Sequence, residues 1–185
     1  MIPTTSTWLL KSCNIIYSHL YSYFQNNATD LEMIITKIVD SFATSDLVQV
    51  STESFCSITM KCCRQLVDQF NDILNGCVEY LPFIEADPID NTLALVFNGL
   101  LSIISVMRTP FDMQDAFNLA IKPLIKVVSR TIQTLKPSMS GPASNNKIGK
   151  LVSHLKVYNT FISDGILRGR DDLFQCYASP IQTCS

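Results

Sequence analysis

Apolar residues recur at three- and four-residue intervals along nearly the whole chain, and no stretch alternates apolar and polar residues for long enough to build a sheet. The pattern predicts an all-α protein. A first helix starts after Ser6 or Thr7, carries Trp8, Leu9, Ile15, Ile16, Leu20, Tyr23 and Phe24, and stops at Asn26-Asn27. A second opens on Thr29-Asp30-Leu31-Glu32, a capping-box string in which hydroxyl and carboxylate satisfy each other's free backbone amides. Its stripe of Leu31, Ile34, Ile35, Ile38, Val39 and Phe42 predicts one sharply bounded buried face, with Lys37 and Asp40 in solvent.

Ser51 or Thr52 can cap a long third helix with the stripe Phe55, Ile58, Cys62, Cys63, Leu66, Val67, Phe70, Ile73 and Leu74, ended by Asn75-Gly76. From Cys77 to Ala86 the mixed pattern around Pro82 predicts a turn with a short helical piece. Asp87-Pro88 then reads as an N-cap followed by a first-turn proline. The helix that follows, to Met107, is apolar over most of its circumference and belongs at the centre of the fold. Thr109-Pro110 repeats the start signal, and Pro123 predicts a kink or tight break near Lys122. Residues 136–147, KPSMSGPASNNK, have the composition of a mobile loop open to proteolysis. A last helix spans Ile148 to Ser163 with Ile148, Leu151, Val152, Leu155, Tyr158, Phe161 and Ile162 inward. The expected organisation is one helical domain over 1–163 and a loosely ordered tail over 164–185.

Antiparallel helices joined by mostly short loops suit an irregular helical bundle or a short α-solenoid of stacked helix pairs. In pattern the succession resembles HEAT-like or armadillo-like stacking, although no residue-level repeat recurs at a fixed period.

Composition narrows the setting. With 47% hydrophobic and 16% charged residues, the chain has less charge than an ordinary soluble domain, and either Ser, Thr and Asn cover its surface or part of it is hidden against a partner. Lys11, Ser12 and Asn14 interrupt the apolar start, so no signal peptide is predicted, and the sequon Asn27-Ala28-Thr29 reads as chance. The apolar window from Leu93 to Met107 is short of the roughly 20 residues that a bilayer span requires. The seven cysteines are irregularly spaced and form no C-x-x-C, which reads as reduced thiols in an intracellular protein of the cytoplasm or nucleus.

Residues 1–121 hold five Lys or Arg against thirteen Asp or Glu, a net of −8, and residues 122–185 hold nine against three, a net of +6. Lys122, Lys126 and Arg130 recur every fourth residue and share a helix face, with Lys136, Lys147 and Lys150 following. This row is the candidate interaction face. Four roles suit it: lying against the acidic half of the same chain, staying solvated, meeting an acidic protein surface, or neutralising nucleic-acid phosphates, the last disfavoured by a lack of interleaved aromatics.

No catalytic constellation stands out. His19 and His154 have no Cys, Asp or Glu three or four residues away on the same face, which predicts boundary or surface histidines and no zinc site. Ser153 to Lys156 forms an S-x-x-K string without its companion motifs, and no two glycines form a phosphate loop. Glu79, Glu85, Asp87 and Asp90 lack EF-hand spacing, and helix capping accounts for Asp87 and Asp90. The expectation is a non-enzymatic scaffold or adaptor without cofactor or metal, the terminal part of a larger assembly subunit in one version. A nucleic-acid-associated factor using residues 122–150 is the alternative.

Overall fold

The computed structural model describes residues 4–86, 91–135 and 142–167. Among them every regular element is helical, and the chain is all-α. The expected helix start at Asp87-Pro88, the first half of the expected 136–147 loop, and the chain beyond residue 167 lie outside the described residues. The chain divides into two compact units, Met1–Arg108 and Thr109–Ser185.

The first unit contains α1 (Thr4–His19), α2 (Tyr21–Phe24), α3 (Ala28–Asp40), α4 (Val48–Lys61), α5 (Phe70–Glu79), α6 (Leu81–Ala86) and α7 (Thr92–Ile104). Short 3₁₀ segments at Ser41–Ala43 and Cys63–Gln69 follow α3 and α4. The α3 stripe is buried as its spacing predicts, from Leu31 to Val39 and on to Phe42. Each such side chain contributes about 1.5–3 kcal/mol relative to leaving it in water. The capping box at Thr29 does not form. The helix has already started at Ala28, Asn27 Nδ2 donates to the Tyr23 carbonyl at 2.8 Å, and Asp30 accepts from the Tyr23 hydroxyl.

The predicted long third helix is instead two helices joined by the 3₁₀ segment at 63–69. Ser51 and Thr52 cap nothing, because α4 starts at Val48 and buries both of them. Ser54 and Thr59 are buried on the same helix. Thr52 Oγ1 donates to the Gln49 carbonyl at 2.9 Å and Thr59 Oγ1 to that of Phe55 at 2.8 Å. Hydroxyls that bond their own helix backbone can enter a core without stranding a donor. A helix rich in Ser and Thr therefore packs at the middle of this unit, against α1, α3 and α7.

Two glycines set the closest helix approaches. A Cβ on Gly99 of α7 would stand 2.6 Å from Thr59 Oγ1 and 2.7 Å from Phe55 Cε1, so the bare backbone is what lets α7 lie on α4. Gly76, expected to end a helix, sits inside α5, where a Cβ would come within 2.9 Å of Val39 Cγ1 on α3. Phe42 and Phe55 meet edge to face at 5.8 Å in the same core. As its composition predicts, α7 is buried around most of its circumference.

The second unit contains α8 (Pro110–Leu135) and α9 (Pro142–Leu167). Thr109 starts α8: its Oγ1 accepts from the Asp112 amide at 3.1 Å and donates to the Asp112 carboxylate at 2.7 Å. Of the kink or tight break expected near Lys122, the break is absent: the helix is continuous through Pro123. Phe117 stacks on Phe161 at 4.5 Å, and Thr131 Oγ1 lies 3.1 Å from His154 Nδ1, which makes the pair antiparallel.

Two expectations for α9 are corrected. It begins at Pro142, so residues 142–147 are helical, a proline suiting a first turn where its missing amide has no intrahelical partner. Its inward positions are His154, Val157 and Phe161, whereas Val152 and Leu155 are exposed. The aromatic stack and the Thr131 contact fix that rotation. His154 is consequently buried rather than a boundary or surface residue.

Candidate functional site

The surface that departs most from ordinary packing is the outer side of α1. Successive residues of a helix are 100° apart, so Trp8, Leu9, Ile15, Ile16 and Leu20 fall within one arc of about 140°. Helices bury such an arc as a rule. Here it faces outward, with Trp8 68%, Leu9 59%, Ile15 51% and Ile16 54% exposed.

The opposite side of α1, with Lys11, Asn14 and Ser18, is the one turned in, and α1 packs on α4. Asn14 is 3% exposed, and its Nδ2 donates to the fully buried Ser51 Oγ at 2.8 Å. Rotating α1 to hide its isoleucines would leave both groups buried without partners or would expose them, and each lost bond of that kind costs about 1–3 kcal/mol. That pair opposes the rotation but, at about 1–3 kcal/mol, it is smaller than the burial of several apolar side chains, so an apolar side left outward calls for a cover.

The C-terminal end of α1 is fastened as well. Lys61 of α4 donates through Nζ to the Ser18 carbonyl at 3.4 Å and stands 4.7 Å from the centroid of the Tyr21 ring. The Cys62 thiol lies 3.8 Å from the Tyr21 carbonyl, and Gln65 Nε2 donates to that of Gln25 at 3.5 Å. Helix geometry breaks at Leu20 and resumes in α2, whose Phe24 is buried while Tyr23 stays outside. The Asp30 carboxylate that accepts from Tyr23 pushes that phenol above its ordinary pKa. Burial, with Cys13 alongside, does the same for Tyr17.

The predicted basic face occupies the second unit. Lys122, Lys126 and Arg130 are exposed along one side of α8, opposite the buried Leu124 and Val127. Lys150 is half-buried on the adjacent helix α9, Lys147 belongs to α9 but its side chain lies outside the described residues, and so does Lys136 altogether. The structure therefore brings together three of the six residues in the row. The sequence reading missed the outer face of α1, because the stripe it names is the same whichever way the helix is turned.

Reactive chemistry is sparse. The thiols of Cys13, Cys56, Cys62, Cys63 and Cys77 are free, and burial pushes those of Cys56, Cys62 and Cys77 up, away from the thiolate. A groove between α3 and α5 is rimmed by Glu32, Asp40 and Asp72, with Gln69 Nε2 donating to Glu32 at 3.2 Å. Among the described residues no three His, Cys, Asp or Glu are placed to hold a metal ion. Glu79 and Glu85 belong to α5 and α6, while Asp87 and Asp90 lie outside the described residues. No described helix is long and apolar enough to cross a membrane. Comparison with protein-family models, curated proteins and solved structures returns no match to this chain.

Proposed function

We propose that this chain is a non-enzymatic helical scaffold or adaptor that meets another protein through the outer face of α1. The observation that carries this reading is the inverted helix: a polar pair, Asn14 and Ser51, is buried while Trp8, Leu9, Ile15 and Ile16 stand in water. Contiguous apolar surface of this extent on a folded protein marks a contact site more often than a solvated face. A stacked helix-pair architecture within a larger assembly, in the reducing environment of cytoplasm or nucleus, fits the same reading. The test is a photo-crosslinking amino acid at position 16, compared in cells with one at the exposed polar position 37. A defined adduct from position 16 alone supports the proposal; equal or absent crosslinking from both positions removes it.

A second reading rests on Lys122, Lys126 and Arg130 as an exposed cationic row, suited to an acidic protein surface or to nucleic-acid phosphates. Salt-sensitive retention on an RNA or DNA column, abolished by the triple change to Glu, would favour nucleic acid. Retention of protein partners after nuclease treatment, lost in the same variant, would favour an acidic protein.

A further inference from the structure

Building on the reading of α1 as a contact surface, we infer that its occupant is a second copy of this chain, the two α1 helices packing face to face about a two-fold axis. Trp8 and Ile15 are seven residues apart, as are Leu9 and Ile16, and Leu20 lies four beyond Ile16. Side chains seven apart return to almost the same side of a helix after two turns, so the two pairs form parallel rows about 100° apart, a broad face of the kind another helix packs along. Two such rows on one face about three turns long match a packed helix better than an extended peptide, which needs an open sheet edge or a pocketed groove.

Area points the same way. Given the exposed fractions of Trp8, Leu9, Ile15, Ile16, Leu20 and Tyr23, the face offers on the order of 600 Å², near the roughly 800 Å² that each side of a standard protein interface contributes. A self-complementary patch of that size supplies both halves of a symmetric interface at once.

Charge selects among occupants. No Asp or Glu precedes Asp30, and Lys11 and His19 are the basic side chains of α1, so this face offers neither carboxylates for a basic partner nor a cationic cluster for an acidic one. A lipid surface fits less well. Residues 1–108 hold five Lys or Arg against eleven Asp or Glu, a net of −6, which opposes approach to anionic headgroups.

Sedimentation velocity of the full chain across the micromolar range tests the inference. A concentration-dependent two-chain species is expected, with its dissociation constant raised about 100-fold or more by Ile16→Glu, which buries an unpaired charge at the seam. Phe83→Glu, on an exposed apolar residue of α6, is expected to leave it unchanged. Leu9→Glu repeats the measurement if circular dichroism shows that Ile16→Glu loses helix. A single-chain mass at every concentration overturns the second-copy inference, as does a dimer indifferent to both α1 variants. A single-chain protein that pellets with phosphatidylcholine–phosphatidylserine vesicles through α1 also overturns it, in favour of lipid. A monomer that still crosslinks from position 16 to a different protein sinks the second copy and leaves the scaffold reading standing; a monomer that crosslinks to nothing sinks both.

Discussion

Helices α1 and α3 belong to one unit and both carry large apolar side chains, yet α3 hides Leu31, Ile34, Ile35 and Ile38 whereas α1 shows Trp8, Leu9, Ile15 and Ile16 to water. The stripe of α3 is the more sharply bounded of the two, and the polar sides differ as well. The polar side of α3 carries Lys37 and Asp40, whose charges hold that side in solvent, so burial of the other side follows. The inward side of α1 carries Asn14, an uncharged amide that is buried and satisfied by Ser51 of α4, with Lys11 and Ser18 half-buried beside it and Lys61 of α4 donating to the Ser18 carbonyl. A helix is thus turned by the partners of its buried polar groups as well as by its apolar stripe.

That contrast can be broken at several strengths. The largest effect is expected at the centre of the unit, where Phe55→Ala should cost about 3–5 kcal/mol in urea unfolding. Gly99→Ala comes next at about 1–3 kcal/mol, because its methyl would collide with Thr59 and Phe55; a neutral result would show that α7 can retreat from α4. Asn14→Ala should cost about 1–2 kcal/mol by leaving Ser51 without its donor, and protection of the α1 amides from hydrogen exchange should fall with it. No loss at Asn14 would mean that something else sets the rotation of α1.

Alkaline pH probes the core by a different route. The thiol of Cys77 is held up by burial, so on raising the pH an unfolded chain releases this proton before the native one does. Stability from this group is full below the ordinary thiol range and falls by about 1.4 kcal/mol per pH unit above it. Cys77→Ala should flatten the slope, as read from urea midpoints at stepped pH. The smallest effect belongs to the exposed side of α1: Ile16→Ala, unfolded under dilution with the chain monomeric, should stay within about 0.5 kcal/mol of the parent. A larger loss would place Ile16 in the core and remove the contrast with α3.

Much of the fold is legible in the residue pattern. The α3 stripe, the central α7 and the Thr109 start of α8 all follow from local spacing and capping chemistry. What the pattern hides is decided by distant partners. Ser51 and Thr52 have the composition of a helix cap, but burial against neighbouring helices keeps them inside α4. Gly76 has the look of a terminator, yet its bare backbone is used by Val39 on another helix. His154 and the rotation of α9 depend on Thr131 and Phe117, more than twenty residues upstream. The basic row on α8 is visible as a four-residue period, whereas the inner side of α1 is defined by contacts such as the Asn14–Ser51 bond, between residues 37 positions apart.

The chain has a single tryptophan, and it stands on the outer face of α1. Its indole is therefore a label already built into the surface of interest. While the face is open, emission should resemble that of a hydrated indole and be quenched readily by iodide. When anything covers the face, emission should move to shorter wavelength and become shielded from the quencher. Whatever settles on α1 will thus announce itself in the intrinsic fluorescence of the unmodified protein.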